Sequence, residues 1–381
     1  MLVLSIVVLL IWLYLLLFHA RFWRVKQLHL PEPATRESAR VAVVIPARNE
    51  ADVIARSVSS LLRQNFTGEI RVFVVDDNSS DGTANVARAA AGSLGLSEKF
   101  AVVSGSALPA GWTGKVWAMH QGWQSAKSLQ PDFLLLTDAD IEHASDNLAR
   151  LITQAHRRSF DLVSVMVKLR CQTLPEKFAI PAFVYFFFLL YPAARVGNPR
   201  SHVAGAAGGC MLIRPELLER VGGFESIRGE IIDDCSLAAA VKNIGGKLWL
   251  GVSRETRSIR DYKTLSNLRD MISRTAFNQL RHSSLLLTAC IVGMMLTFVA
   301  PLALVWTDDK ASGWIAAAAC FVMFASYVPV LRVYRVNPLS AVTLPFAAVF
   351  YMYAAIHSAM QYWRGRGGEW KGRTQDVPSS S

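Results

Sequence analysis

Three acidic groups in the 381-residue chain have the residue types and spacing to do chemistry: Asp76-Asp77, Thr137-Asp138-Ala139-Asp140 and Asp233-Asp234. Hard divalent cations such as Mg²⁺ and Mn²⁺ prefer carboxylate oxygens and keep open positions for phosphate and water. Read as alternate positions of an extended segment, Asp138 and Asp140 point the same way, so one can hold a metal while the other meets a ribose or sugar. A metal there would bridge two phosphates of a leaving group that gains negative charge as it departs. A carboxylate such as Asp234 set against a hydroxyl can accept its proton, worth roughly 10² to 10⁴ in rate. The charge of Asp233 beside it raises its proton affinity. Lys115, in Trp112-Thr113-Gly114-Lys115, is a point cation on a flexible stem and suits a diphosphate. Each feature alone has a plainer reading: a capped loop for the triplet, a turn residue for Asp77, and acids at a helix N-terminus for Asp233 and Asp234.

These groups need elements to position them. Between residues 40 and about 255, short β-branched runs alternate with segments of helical apolar spacing, which predicts a parallel sheet with helices on both faces. The expected strands are Val41–Ile45, Ile70–Val75, Ala101–Ser104, Phe133–Leu136 and Leu162–Val167. A helix follows the first, burying Val53, Ile54, Val58, Leu61 and Leu62. Ligands of such sheets gather at the carboxyl ends of strands, where Asp76, Asp77, Asp138 and Asp140 fall.

Composition adds a membrane. Mean hydropathy is +0.28 with 52% apolar residues, too apolar for an ordinary soluble enzyme. Leu2–Phe18 is apolar or aromatic at every position but Ser5, close to the ~17 to 25 residues that span a bilayer as helix. It lacks a basic start and a small-x-small site, so it reads as an uncleaved anchor. Arg21, Arg24 and Lys26 follow it, placing residue 21 onward in the cytoplasm of a multi-pass inner-membrane protein. The expected organisation is an anchor over 1–20, a cytosolic linker over 21–39, a globular domain over 40–283 with an interfacial helix at about 178–194, two or three membrane segments over 284–363, and a basic tail over 364–381. Four spans would send the C-terminus outside, whereas Arg364, Arg366, Lys371 and Arg373 favour the inside. A re-entrant or interfacial last segment, with Pro345 near its start, is one reconciliation. The net charge of +11 fits anionic lipid headgroups better than nucleic acid, because no dense basic run lies away from the membrane flanks. Five cysteines without CxxC spacing give neither a disulfide framework nor a zinc site.

Val43-Val44-Ile45-Pro46-Ala47-Arg48-Asn49-Glu50, followed by Val74-Val75-Asp76-Asp77-Asn78-Ser79-Ser80-Asp81-Gly82-Thr83, closely resembles the opening of family 2 glycosyltransferases. The resemblance covers about residues 40 to 280 and implies an α/β GT-A fold, a Rossmann-like nucleotide-diphospho-sugar transferase domain, here with N-terminal and C-terminal transmembrane helices. By the same resemblance Pro46, Arg48, Glu50, Asp76 and Asp77 hold base and ribose, Lys115 and Asp138 approach the nucleotide sugar, and Asp138 and Asp140 bind Mg²⁺ or Mn²⁺. Asp234 takes the place of the catalytic base and Asp233 that of its usual glutamate neighbour. Gly205-Ala206-Ala207-Gly208-Gly209-Cys210 is similar to the acceptor-side segment, with Gly208 and Gly209 letting backbone approach substrate. Arg274 falls where relatives carry Gln-x-x-Arg-Trp and its arginine contacts diphosphate; Met271 and Thr275 depart from that pattern.

The motif layout looks closest to the hopene-associated glycosyltransferases and, more distantly, ceramide glucosyltransferases. The expected activity is inverting transfer of a sugar from a nucleotide diphosphate carrier, with a UDP-sugar the first choice, to a membrane lipid, possible hopanoids included. No protein or nucleic-acid partner is expected. Two rivals share the site: a processive polysaccharide synthase, disfavoured by the missing motif tryptophan and the few membrane segments, and a non-catalytic nucleotide-sugar sensor, which would tolerate loss of Asp234.

Overall fold

The structure is a computed structural model that describes residues 1–34, 38–368 and 371–372. Arg373 and the rest of the expected basic tail beyond residue 372, together with residues 35–37 of the linker, lie outside the described residues.

The β-branched runs form the centre of an eight-stranded sheet, β1 (Arg40–Ala47), β2 (Glu69–Asp76), β3 (Phe100–Ser104), β4 (Phe133–Leu136), β5 (Ile141–Glu142), β6 (Leu162–Lys168), β7 (Met211–Ile213) and β8 (Leu248–Ser258), in the order β3-β2-β1-β4-β7-β6-β8-β5. β1, β2, β3 and β4 are mutually parallel. Val41–Ile45 are all buried, as strands covered by helices on both faces must be. The helix Ala51–Leu62 covers one face with Ile54, Val58, Leu61 and Leu62; Val53, also expected in that buried stripe, is only half-buried. The helix Gly114–Ala126 covers the other face. A side chain at Gly122 would stand 2.5 Å from Val44 Cγ1, so that helix approaches the sheet closely only because residue 122 has none.

The sheet is mixed, which corrects the all-parallel expectation. β7 runs antiparallel to both β4 and β6, and β5 antiparallel to β8. The reason is local: β7 is a three-residue strand entered from the glycine-rich segment 205–210 rather than from a crossover helix, and parallel pairing needs such a crossover. Reversal has a consequence for the site. Met211, the first residue of β7, pairs with Leu136 and Ser164, so Gly208 and Gly209 arrive beside the carboxyl end of β4, where Asp138 begins.

The apolar helices pack in two groups. Leu2–Leu17 lies against the membrane-like helices Ser284–Leu304 and Lys310–Val333: Trp12 Nε1 donates to Thr297 O at 2.8 Å, and its ring meets Phe298 edge-on at 5.4 Å. The second group joins Leu174–Leu190, Leu265–Gln279 and Leu344–Trp363, through Phe186 on Tyr351, Phe178 on Phe350, and Ser273 Oγ donating to Ala354 O at 2.9 Å. Among the described residues four helices, 174–196, 284–304, 310–333 and 338–363, suffice by length and composition to cross a membrane, while Leu2–Leu17 is shorter. Helix 174–190 starts on a capping box formed by Thr173 and Glu176, four residues earlier than the expected interfacial segment.

Candidate active site

The loops at the carboxyl ends of β1, β4 and β8 enclose a cavity of about 160 Å³, lined by Pro46, Glu50, Lys115, Asp138, Ala139, Asp140, Arg260, Arg274 and Lys371. Asp138 and Asp140 reach it differently from the extended geometry expected of them. Residues 138–140 form a turn closed by Ile141 N donating to Asp138 O at 3.3 Å, because β4 ends at Leu136 and the chain must reverse into β5. The two carboxylates therefore take different partners. Asp138 Oδ1 pairs with Lys115 Nζ at 2.9 Å. Asp140 Oδ2 accepts from Ser258 Oγ at 2.8 Å and Arg260 Nε at 3.1 Å.

Lys115 stands one residue into the helix Gly114–Ala126. That helix is tied to the third acidic motif: Thr113 N donates to Arg228 O at 2.7 Å, and Thr113 Oγ1 to Glu230 O at 3.1 Å. The ammonium bridges this cavity and the acidic pair, 3.2 Å from Asp233 Oδ2. Burial opposes its charge, but Asp138, Asp233 and Asp234 outweigh that and hold its pKa well above the lysine range. Burial equally opposes the Asp138 carboxylate, and Lys115 with Arg274 and Arg260 overcomes it, so its pKa lies below the ordinary value.

Asp234 sits in the first turn of the helix Asp233–Asn243. Its Oδ2 accepts from Gly208 N at 2.7 Å and its Oδ1 from Cys235 N at 2.7 Å. Burial, with the adjacent Asp233 carboxylate, pushes its pKa up to about 6 against the pull of Lys115 and the two amides. A proton acceptor poised near neutrality is what general base catalysis requires. Gly208 makes this approach possible: a Cβ there would lie 3.2 Å from Asp234 Oδ2 and 3.3 Å from Lys115 Nζ. Gly209 packs instead on Val167 and Ile141, away from the carboxylate.

The nucleotide-side residues are placed by β1 and β2. Pro46 and Glu50 line the cavity. Asp76 and Asp77 do not; they lie at the end of β2 and are joined to the β1 loop by Arg48, whose Nη1 donates to Asp77 O at 2.7 Å and stands 3.6 Å from Asp77 Oδ2. Asp76 Oδ1 is buried with no hydrogen-bond partner among the described residues, an unmet acceptor of the kind a bound ligand satisfies. Arg274, on the helix Leu265–Gln279, lines the cavity as expected from the motif position.

Two cavity residues escape the motif reading. Arg260 follows β8; its Nη2 meets both oxygens of Glu50, at 2.7 and 2.9 Å, while its Nε holds Asp140. The alternation of Leu248, Leu250 and Val252 signals that strand, and an arginine just past its carboxyl end follows from the strand-end rule. Lys371, assigned to the basic tail, lies 3.0 Å from Glu50 Oε1; nothing in the sequence signals that contact. Beneath the triplet, buried His143 meets Thr137 Oγ1 at 3.0 Å and Asn147 Nδ2 at 3.0 Å, and Thr137 donates to Gly209 O at 2.8 Å. Burial lowers the His143 pKa to about 3, so a neutral ring braces the turn.

Among the described residues no three His, Cys, Asp or Glu side chains form a metal cluster. Asp138 and Asp140 beside Lys115 and Arg274 instead fit a hard cation that arrives with phosphates and completes its shell from them and from water, as Mg²⁺ commonly does.

Residues 42–222 match the family described as "Glycosyl transferase family 2". The chain is 30% identical over 118 residues to the 4,4'-diaponeurosporenoate glycosyltransferase of Staphylococcus haemolyticus, covering 31% of this chain and 28% of that one. It is 30% identical over 126 residues to the beta-monoglucosyldiacylglycerol synthase of Trichormus variabilis, covering 33% and 25%. The aligned segments thus span little more than a quarter of these relatives' lengths. In three dimensions the chain is similar to the mannosyltransferase PcManGT of Pyrobaculum calidifontis, solved in complex with GDP-Man and Mn²⁺, with a TM-score of 0.56 and 19% identity over 94% of this chain and 98% of that one. Residues 42–222 thus carry the match to glycosyltransferase family 2, on a mixed α/β sheet of the GT-A fold.

Proposed function

We propose that the protein transfers a sugar, with inversion, from a nucleoside diphosphate carrier to the hydroxyl of a membrane lipid. The observation that carries this reading is the Lys115 bridge: one ammonium joins Asp138 of the donor cavity to Asp233, next to the half-buried Asp234. Donor and base therefore share one site. The acceptor oxygen forms a bond to the anomeric carbon as its proton passes to Asp234. The bond from that carbon to the diphosphate oxygen breaks, and its electron pair leaves with the diphosphate. Lys115 and Arg274 face the charge that develops there. Asp138 and Asp140 would hold a divalent cation, which supplies further neutralisation of the diphosphate.

The lipid acceptor is supported by the apolar platform beside Asp234. Helix 174–190 has both ends on the site: Glu176 accepts from Tyr262 N at 3.0 Å, two residues from Arg260. At the other end Tyr191 donates to Gln279 at 3.0 Å and packs so tightly under Gly205 that a Cβ there would stand 2.6 Å away. This arrangement favours a helix lying along the membrane surface. The matched relatives are named for a diaponeurosporenoate and a diacylglycerol acceptor, both long-chain lipids; a hopanoid rests on motif layout alone. The test is to incubate the detergent-purified protein with Mn²⁺, a panel of nucleotide sugars and total lipid extract, and to read lipid masses. A hexose- or aminosugar-sized gain on a lipid is expected. Sugar release into water or onto polymer only, with no lipid product, would contradict the proposal.

A further inference from the structure

The chain's C-terminal segment enters the donor cavity. Lys371 lines it beside Asp138, Asp140, Lys115 and Arg274. Its Nζ is 3.0 Å from Glu50 Oε1 and donates to Asn49 O at 3.0 Å, while its own carbonyl accepts from Arg48 Nε at 3.3 Å. Residues 48, 49 and 50, successive positions of the loop after β1, thus all hold this one residue.

Two features separate the contact from an ordinary surface ion pair. Glu50 is already neutralised, because Arg260 Nη2 meets both its oxygens. Lys371 brings a second cation to a carboxylate that does not need it, so exchanging that contact costs little. The other cations named in the network are committed: Lys115 to Asp138 and Asp233, Arg260 to Glu50 and Asp140. An ammonium has three N–H donors, and Glu50 and Asn49 occupy only two. Lys371 is therefore a cavity cation whose present partner is readily given up to an incoming anion, in addition to Arg274, which also lines the cavity.

We propose that Lys371 is a donor-binding residue whose ammonium exchanges Glu50 for a diphosphate oxygen when the nucleoside diphosphate enters. The departing diphosphate carries one more negative charge than the bound donor, so a cation placed there stabilises the leaving group as well. The segment continues from the helix Leu344–Trp363, which is bonded to the Arg274-bearing helix through Ser358 Oγ, the acceptor of Phe277 N at 3.0 Å. The assignment rests on the reading of this cavity as a nucleotide-sugar site.

The test is titration calorimetry of the full chain in detergent with Mn²⁺ and UDP or GDP, each compared with its monophosphate. For the diphosphate that binds wild type, Lys371→Gln is expected to weaken affinity about tenfold, Lys371→Arg to stay within about threefold, and the monophosphate to change less than about twofold. Unchanged diphosphate affinity in Lys371→Gln overturns the assignment. Equal loss for mono- and diphosphate also overturns it, since that marks a prop of the loop. Tighter binding overturns it by showing a latch that excludes the donor. If wild type binds neither diphosphate, the nucleotide reading of the cavity falls and the Lys371 role falls with it, an outcome distinct from failure of the variant alone.

Discussion

The Asp234 carboxylate, half-buried at the foot of a helix and receiving two backbone amides, combines the proton affinity and the orientation of a base. Because the base must be ionised to act, transfer should rise with pH through about 6 and level off above it; a kcat–pH profile flat from 5 to 8 would exclude that role. Gly208 gives an independent check. Alanine there places a methyl 3.2 Å from Asp234 Oδ2, so Gly208→Ala should cut kcat by about 10- to 100-fold while moving stability by less than about 1 kcal/mol. Activity close to wild type in that variant would mean that the amide at 208 and the base are not held in register. Most of these residues are legible in the sequence, since pairs of carboxylates at strand ends and a lysine after glycine have few purposes. The geometry of Asp138 and Asp140 is not: alternation on an extended segment predicts parallel side chains, whereas the turn needed to reverse β4 into β5 sends them to Lys115 and Arg260.

Elements of the sheet divide the same way. β1, β2, β4 and β6 are visible as short apolar runs because burial on both faces writes a continuous apolar pattern, and the edge strand β3 as a shorter run that is mostly half-buried. β5 and β7 are two and three residues long, too short for any period, and they are what makes the sheet mixed. Their reversal brings Gly208 to Asp234 and Ser258 with Arg260 to Asp140. Arg260 fastens three elements at once, the β1 loop, the acidic turn and the end of β8. Burial works against its charge, but Asp140 and Glu50 keep it protonated. Arg260→Gln should lower stability by about 1–3 kcal/mol, the scale of lost charged hydrogen bonds at a site partly open to water, and should weaken donor binding. Arg260→Lys, which keeps the charge without the fork, should recover only part of either. Thermal unfolding and nucleotide titration of both variants measure this; wild-type values in Arg260→Gln would remove the clamp from the account.

At the scale of the whole molecule, the apolar helices present exposed side chains that water does not favour. Leu285, Trp306, Trp314 and Phe321 are each more than 70% exposed, and the two tryptophans flank the link between helices 284–304 and 310–333, where an interfacial aromatic belt would place them. Counting spans from sequence left the C-terminus on the wrong side of its own basic residues. Lys371 beside Glu50 puts residue 371 with the catalytic domain, and helix 344–363 packs along helix 265–279 through Trp363 and Phe277. We therefore expect reporters after residue 372 and within the globular domain to lie on one side of the membrane and a reporter at Asp308 on the other. A C-terminal reporter opposite the domain would refute this topology. In the proposed reaction one half-buried carboxylate, Asp234, activates the acceptor beside a separately bound donor. The most direct test of that role is Asp234→Asn, measured for both transfer and Mn²⁺-dependent nucleotide affinity: transfer should fall by roughly 10² to 10⁴ with donor affinity retained, whereas near-wild-type turnover would contradict the claim.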